Sequence, residues 1–164
     1  MSFYLPVGAR EFFGIRNGRP FATTEVSANR FIIFDAFSCC MLLGFDKRQY
    51  GEDDHLEARN FLDGYPDTHR SQAVIYAGLL VDAELARKDI APQDRTSIER
   101  EMITLLDLTS PTRLSETGDK LLNLYAASGF ARMRSAISPP ANLEDFLIDY
   151  ADLWKAADTS TTDS

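Results

Sequence analysis

The chain has 164 residues, of which 45% are hydrophobic and 26% charged, a balance that suits one globular domain and excludes a wholly disordered chain. Its formal net charge is −8, with 25 Asp and Glu against 17 Lys and Arg. Such an acidic chain argues against broad nucleic-acid binding, which needs cations to displace the counterions of the phosphates.

The N-terminal segment, residues 1–23, is predicted to form a small β-hairpin arm. Asn17-Gly18 lies between two short apolar stretches, and Asn-Gly favours the type I′ turn of a two-residue hairpin. Aromatic and arginine side chains are enriched in interface hot spots, so this arm is the candidate interaction surface. Its candidate interaction residues are Arg10, Phe12, Phe13, Arg16, Arg19 and Phe21.

Two other roles for this arm stay open. Its phenylalanines could cover the helical core while its arginines face water and pair with acidic residues elsewhere in the chain. Alternatively, the arginines, together with Arg30, could bind an anionic partner, because residues 1–50 carry six basic and four acidic side chains.

The next segment, residues 24–45, lacks turn signals and predicts a deeply buried helix. Its apolar run Phe31–Phe34 could instead form a strand. Asp35 interrupts this apolar surface and is the candidate buried acid, because a buried carboxylate is costly unless it is paired. It could move protons, lie on a narrow solvent-facing stripe, or pair with Arg59 or Arg87.

The only two cysteines, Cys39 and Cys40, are adjacent in the sequence. Adjacent cysteines rarely form a disulfide with each other, because the intervening peptide would be strained. We therefore predict reduced core thiols and a cytoplasmic location. The longest apolar run, residues 31–45, is shorter than the ~20 residues of a spanning helix, so no membrane partner is predicted.

Each of the two histidines lies close to acidic residues at a predicted helix start, His55 after Asp54 and His69 after Asp67. Imidazole and carboxylate groups are common metal ligands, and the candidate ligands are His55, His69, Asp53, Asp54 and Glu57. They meet only if a short helix over about residues 54–63 lies beside the next one, over about residues 68–89. The alternative is an acidic loop and two helix caps with exposed histidines. No cofactor is predicted.

The helix predicted over about residues 68–89 has two apolar stripes, starting at Val74 and Ile75, which indicate a central helix buried on both faces. Ala91-Pro92 then predicts a helix start, and a further helix is predicted over about residues 114–137. Ser128-Gly129 is expected to break that helix.

The last helix is predicted to begin after Asn142, and residues 159–164 are predicted to be a flexible tail. These patterns together predict an all-α or nearly all-α domain over residues 1–158, a compact bundle of five to six helices with the hairpin arm.

The sequence holds no glycine-rich phosphate loop and no G-x-S-x-G or H-E-x-x-H motif. We therefore expect a non-catalytic interaction or regulatory protein whose partner is another protein or a second copy of itself. A metal-dependent or small-ligand-binding helical enzyme that uses His55 and His69 is one alternative. A binder of an anionic partner through the N-terminal arginines is the other.

Overall fold

A computed structural model describes residues 3–21 and 31–161, and over those residues the chain is mostly helical and has no β-strand. The helices are α1 Ala9–Phe12, α2 Ile33–Lys47, α3 Ala73–Arg87, α4 Arg95–Leu105, α5 Glu116–Ala136 and α6 Leu143–Thr161. Two 3₁₀ turns, Asp53–His55 and Arg70–Gln72, lie between α2 and α3. The predicted helical fold class is confirmed. No helix in the described parts of the chain has the length and apolar character needed to cross a membrane.

The predicted N-terminal β-hairpin is not found in residues 3–21, the part of this arm that the structure describes. Asn17 and Gly18 do form a tight turn with φ of 50° and 75°, closed by paired backbone hydrogen bonds of 3.0 Å between Arg16 and Arg19. The strand pairing stops there, because the chain before the turn forms the short helix α1. Consecutive residues of a strand point to opposite faces, so a strand would not bury Phe12 and its neighbour in one core, whereas a helical turn does.

The helices α2 and α5 pack at the centre of the fold with their backbones in contact. A Cβ added to Gly129 would lie 1.6 Å from the carbonyl oxygen of Cys40, and one added to Gly44 would lie 1.9 Å from that of Tyr125. Only glycine permits such an approach. The predicted helix break near Ser128-Gly129 is therefore wrong, because tertiary packing uses the small residue while α5 continues through it.

The short helix predicted over about residues 54–63 is also wrong beyond its first turn. Residues 56–62 run alongside the N-terminal segment in isolated β-bridges, Pro6 with Leu56 and Phe3 with Leu62. Backbone hydrogen bonds of 2.8–2.9 Å join the two segments. This long-range pairing satisfies the backbone groups that a helix would have satisfied locally.

The start of α2 differs from the predicted one. The helix begins at Ile33, and the backbone N–H of Ile32 donates to Oδ2 of Asp35 at 2.7 Å. The run Phe31–Phe34 therefore enters a helix rather than forming a strand. Residues 24–30, where the helix was predicted to start, lie outside the described residues.

Side-chain caps fix the starts of the last three helices. Asp94 accepts the Ser97 backbone N–H before α4, and Ser115 accepts that of Gly118 before α5. Asn142 accepts from the backbone of Asp145 at 2.9 Å, so the cap predicted for the last helix is confirmed. That helix continues to Thr161, into the segment predicted as a tail.

Candidate functional site

Asp35 and His69 form the centre of a hydrogen-bonded chain between α2 and the start of α3. Oδ1 of Asp35 lies 2.7 Å from Nε2 of His69, and His69 is only 7% exposed. On the other side of the ring, Nδ1 of His69 lies 2.8 Å from the hydroxyl of Tyr76. The ring also packs against Phe34, with 4.7 Å between the ring centroids. These contacts join α2 to the start of α3.

The hydroxyl of Tyr76 extends this hydrogen-bonded chain to Gln72. The Tyr76 hydroxyl donates its only hydrogen to Oε1 of Gln72 at 2.5 Å, so it accepts from Nδ1 of His69. Since both ring nitrogens are engaged, this arrangement joins the helices and leaves no nitrogen of His69 for a substrate.

Burial makes the nearby thiols and phenol poor nucleophiles. The pKa of Cys39 is raised to about 12, first by burial and then by the negative charge of Asp35. The pKa of Tyr76 is raised to about 12 by the same two causes. Burial also raises the pKa of Cys40 well above its ordinary value. At neutral pH these groups are protonated, so this region offers neither a thiolate nor a phenolate.

The arginine partners expected for Asp35 are replaced by His69. Arg87 instead pairs with the buried Glu84 through two hydrogen bonds of 2.9 Å, and Arg59 is exposed. Glu84 also accepts a 2.6 Å hydrogen bond from the hydroxyl of Tyr125. Burial raises the pKa of Glu84, but the hydrogen bonds from Arg87 and Tyr125 outweigh it, so that pKa lies below its ordinary value. This cluster joins α3 to α5.

The candidate metal ligands lie in separate surroundings. Nδ1 of His55 accepts the backbone N–H of Glu52 at 3.2 Å, while Nε2 lies 3.8 Å from Oδ1 of Asp54. The other two carboxylates form ion pairs, Asp53 with Lys120 at 3.1 Å and Glu57 with Arg10 at 2.9 Å. Within residues 3–21 and 31–161, no three His, Cys, Asp or Glu side chains are placed to hold a metal ion.

The three phenylalanines of the N-terminal arm lie in the core. Phe12, Phe13 and Phe21 are at most 3% exposed. Their rings pack at centroid distances of 5.3–5.9 Å against Phe130 of α5 and Phe146 of α6. These side chains therefore cover the helical core, and they offer little surface to a partner.

The arginines of the same arm are exposed. Arg10 pairs with Glu57, with 2.9 Å between Nε and Oε1, and Arg16 and Arg19 flank the Asn17-Gly18 turn. Arg30 lies outside the described residues. The arm thus matches the alternative in which arginines face water and acidic residues of the chain.

An apolar groove opens between α3 and the segment that follows α4. Its cavity volume is about 350 Å³. It is lined by Val74, Ala77, Gly78, Leu106, Leu108 and Arg113. Val74 and Leu108 are 70% and 76% exposed at this groove, and Ile75 beside it is 60% exposed. The prediction that this helix is buried on both faces is therefore wrong at its first turn.

Comparisons with protein-family models, curated proteins and solved structures found no match to this chain. The function of the chain is therefore inferred from its own surface and its buried polar groups. The groove and the chain of hydrogen bonds through His69 were both missed from the sequence. Helical spacing identifies Val74 and Ile75 as apolar stripes, but it does not say which stripe the rest of the fold covers.

Proposed function

We propose that the protein is a non-catalytic interaction protein that binds a second copy of itself through the groove between α3 and the segment after α4. The observation that carries this proposal is the exposure of Val74 and Leu108 at an apolar cavity of about 350 Å³. Exposed apolar patches rimmed by polar residues mark interaction surfaces. The proposed site of action is the cytoplasm, where the free thiols of Cys39 and Cys40 would stay reduced.

The size of the surface supports a modest dimer. Val74, Ile75 and Leu108 are 60–76% exposed. They expose apolar area on the order of 400 Å², against about 800 Å² that each partner buries in a standard interface. A two-fold arrangement makes every contact twice, so aliphatic side chains of each copy can enter the groove of the other.

The charge of the groove lining is compatible with a second copy as its occupant. The whole chain carries a net charge of −8, yet among residues 3–21 and 31–161 the only charged residue that lines the groove is Arg113. Two copies can therefore meet here without placing carboxylates of the lining opposite each other. Like charges in direct opposition across an interface would cost several kcal/mol.

Filling the groove provides the test. Gly78 lines the groove and has no atom within 4 Å of an added Cβ, so Gly78→Leu starts a side chain in open space at the groove. Sedimentation velocity over a range of protein concentrations should show a reversible dimer for the parent chain and a monomer for Gly78→Leu. Leu108→Asp should have the same effect, because it introduces a charge at the groove.

Ile148→Asp is the matched control for Leu108→Asp. Ile148 is 60% exposed but lies on α6, in a different cavity lining. This variant should dimerise like the parent chain. A parent chain that stays monomeric at all concentrations, or dimers that persist in both groove variants, would contradict the proposal.

A further inference from the structure

We propose that a second, smaller cavity, between the N-terminal segment and α5, binds a small carboxylate with an apolar body. The cavity has a volume of about 210 Å³. It is lined by Pro6, Val7, Asp54, His55, Ala127, Phe130, Ala131 and Arg134. This site is independent of the proposed dimer groove, with which it shares no lining residue.

Arg134 supplies the main anion-binding group. Its guanidinium lies over the ring of Phe130, 5.3 Å from the ring centroid. The backbone at Gly8 also lies close to the guanidinium, since a Cβ added there would be 3.1 Å from Nη1 of Arg134. In the described parts of the chain, no carboxylate lies within ion-pair distance of Arg134. Because the guanidinium lies over the ring and Arg134 is exposed, its N–H groups are accessible to a planar carboxylate.

His55 supplies a second donor in the same cavity. Its Nδ1 accepts the backbone N–H of Glu52, so the hydrogen lies on Nε2, which is 3.8 Å from Oδ1 of Asp54 and too far to donate to it. The ring is seated closely on Gly51, where an added Cβ would lie 3.2 Å from Nδ1. The carbonyl of His55 also accepts the N–H of Val7 at 2.8 Å, which joins two walls of the cavity.

The remaining lining residues define the class of ligand. Apolar side chains such as Val7 and Phe130 form about half of the wall beside the polar groups, so they suit a ligand with an apolar body rather than a bare inorganic ion. Asp54 also lines the cavity, but its side chain is 78% exposed, so water and salt weaken its repulsion of an anion. The cavity is the size of a single small ring or short aliphatic chain.

Titration of the full chain with benzoate, followed by backbone amide NMR, tests the site. Benzoate should shift the amide signals of Val7, His55 and Ala131, whereas uncharged benzyl alcohol should bind more weakly. Arg134→Gln should weaken benzoate binding about tenfold or more, the size expected for a lost charge-assisted hydrogen bond. His55→Asn should weaken it by a smaller factor.

Arg132→Gln is the matched control, because Arg132 lies on the same helix but pairs with Asp46 at 2.7 Å. It should bind benzoate like the parent chain. Benzoate that causes no shifts at millimolar concentration, or that binds Arg134→Gln as tightly as the parent, would overturn the proposal. Shifts with inorganic phosphate but not with benzoate would overturn the assigned ligand class.

Discussion

At the residue scale, the buried polar groups differ in whether they have partners. His69 has a partner on each ring nitrogen, and Glu84 has both Arg87 and Tyr125. In contrast, Oδ1 of Asp119 is a buried atom with no hydrogen-bond partner in the described residues. Partnered groups stabilise a fold when they are kept intact, whereas an unpartnered buried charge destabilises it. Substitutions at these two kinds of site should therefore have opposite effects.

Replacing His69 should destabilise the protein strongly. His69→Ala leaves Oδ1 of Asp35 and the Tyr76 hydroxyl without their shared partner and removes the packing against Phe34. We expect the free energy of unfolding to fall by about 3 kcal/mol, measured by urea denaturation. His55→Ala is the control, because the His55 side chain is 59% exposed and should change stability by no more than about 0.5 kcal/mol. Equal losses in the two variants would refute the role assigned to His69.

Replacing Asp119 should change how stability depends on pH. Burial raises the pKa of the Asp119 carboxyl, and the hydrogen bond with Thr112 opposes this shift only in part. A carboxyl whose pKa is raised on folding binds more protons in the folded state. The contribution of this carboxyl to the free energy of unfolding is therefore intact below the unfolded-state pKa of about 3.9. It is lost as pH rises through the folded-state pKa. Asp119→Asn should remove that loss and make the protein more stable than the parent at neutral pH.

The measurement is the difference in unfolding free energy between variant and parent across acidic to neutral pH. For Asp119→Asn this difference should move in favour of the variant as pH rises. Asp94 provides a control of opposite sign, because hydrogen bonds from Ser97 lower its pKa. For Asp94→Asn the difference should move in favour of the parent chain as pH rises. A flat difference for Asp119→Asn would show that its carboxyl does not titrate abnormally.

At the element scale, the sequence predicts elements best where a local cap determines the helix start. Asn142 caps α6 at the predicted position, and α5 lies within one or two residues of its predicted bounds. The predictions fail where a distant segment decides the structure. Residues 56–62 pair with the N-terminal segment, and Gly129 is a contact with α2 rather than a helix break. Neither partner is visible in a local sequence window.

The same limit applies to the sites. The sequence singles out Asp35 as a buried acid because it interrupts an apolar run, and it singles out His69 as a rare side chain. It does not pair them, since they lie 34 residues apart and no periodicity relates them. No local sequence pattern predicts the role proposed for Arg134 in carboxylate binding. That role depends on Gly8 and His55, which only the fold brings close to Arg134.

Two glycines in helices should respond oppositely to alanine. Gly129→Ala would place a methyl group 1.6 Å from the carbonyl oxygen of Cys40, so α2 and α5 must separate. We expect it to lower the free energy of unfolding by about 3 kcal/mol or more, although alanine is the better helix former. Gly78→Ala meets open space and should instead raise stability by up to about 1 kcal/mol. Thermal and urea unfolding of both variants would check this, and a stabilising Gly129→Ala would refute the close packing of α2 and α5.

At the scale of the whole molecule, the acidic charge and the apolar groove act against each other in the proposed dimer. Each copy carries a net charge of −8, so two copies repel at long range, while the groove itself adds apolar contact. Salt shortens the range of that repulsion, from about 10 Å at 0.1 M to about 3 Å at 1 M. The apolar contact does not weaken with salt.

The proposed dimer should therefore tighten as salt is added. Sedimentation equilibrium in a series of sodium chloride concentrations should show a dissociation constant that falls several-fold between low and high salt. The variant Gly78→Leu should stay monomeric throughout the series. A dissociation constant that rises with salt would indicate an interface made of ion pairs, and it would locate self-association away from this groove.

The cluster of aromatic rings around Phe146 also determines when Phe13 and Phe21 can pack during synthesis. Phe13 and Phe21 lie near the start of the chain, yet their rings are 5.3 Å and 5.9 Å from that of Phe146 in the last helix. Contacts so distant in sequence slow folding, because a long loop must close before they form. During synthesis Phe13 and Phe21 therefore lack these contacts until α6 has left the ribosome. A nascent chain that stops before α6 would leave more of these two rings exposed, and exposed apolar surface of this kind promotes aggregation.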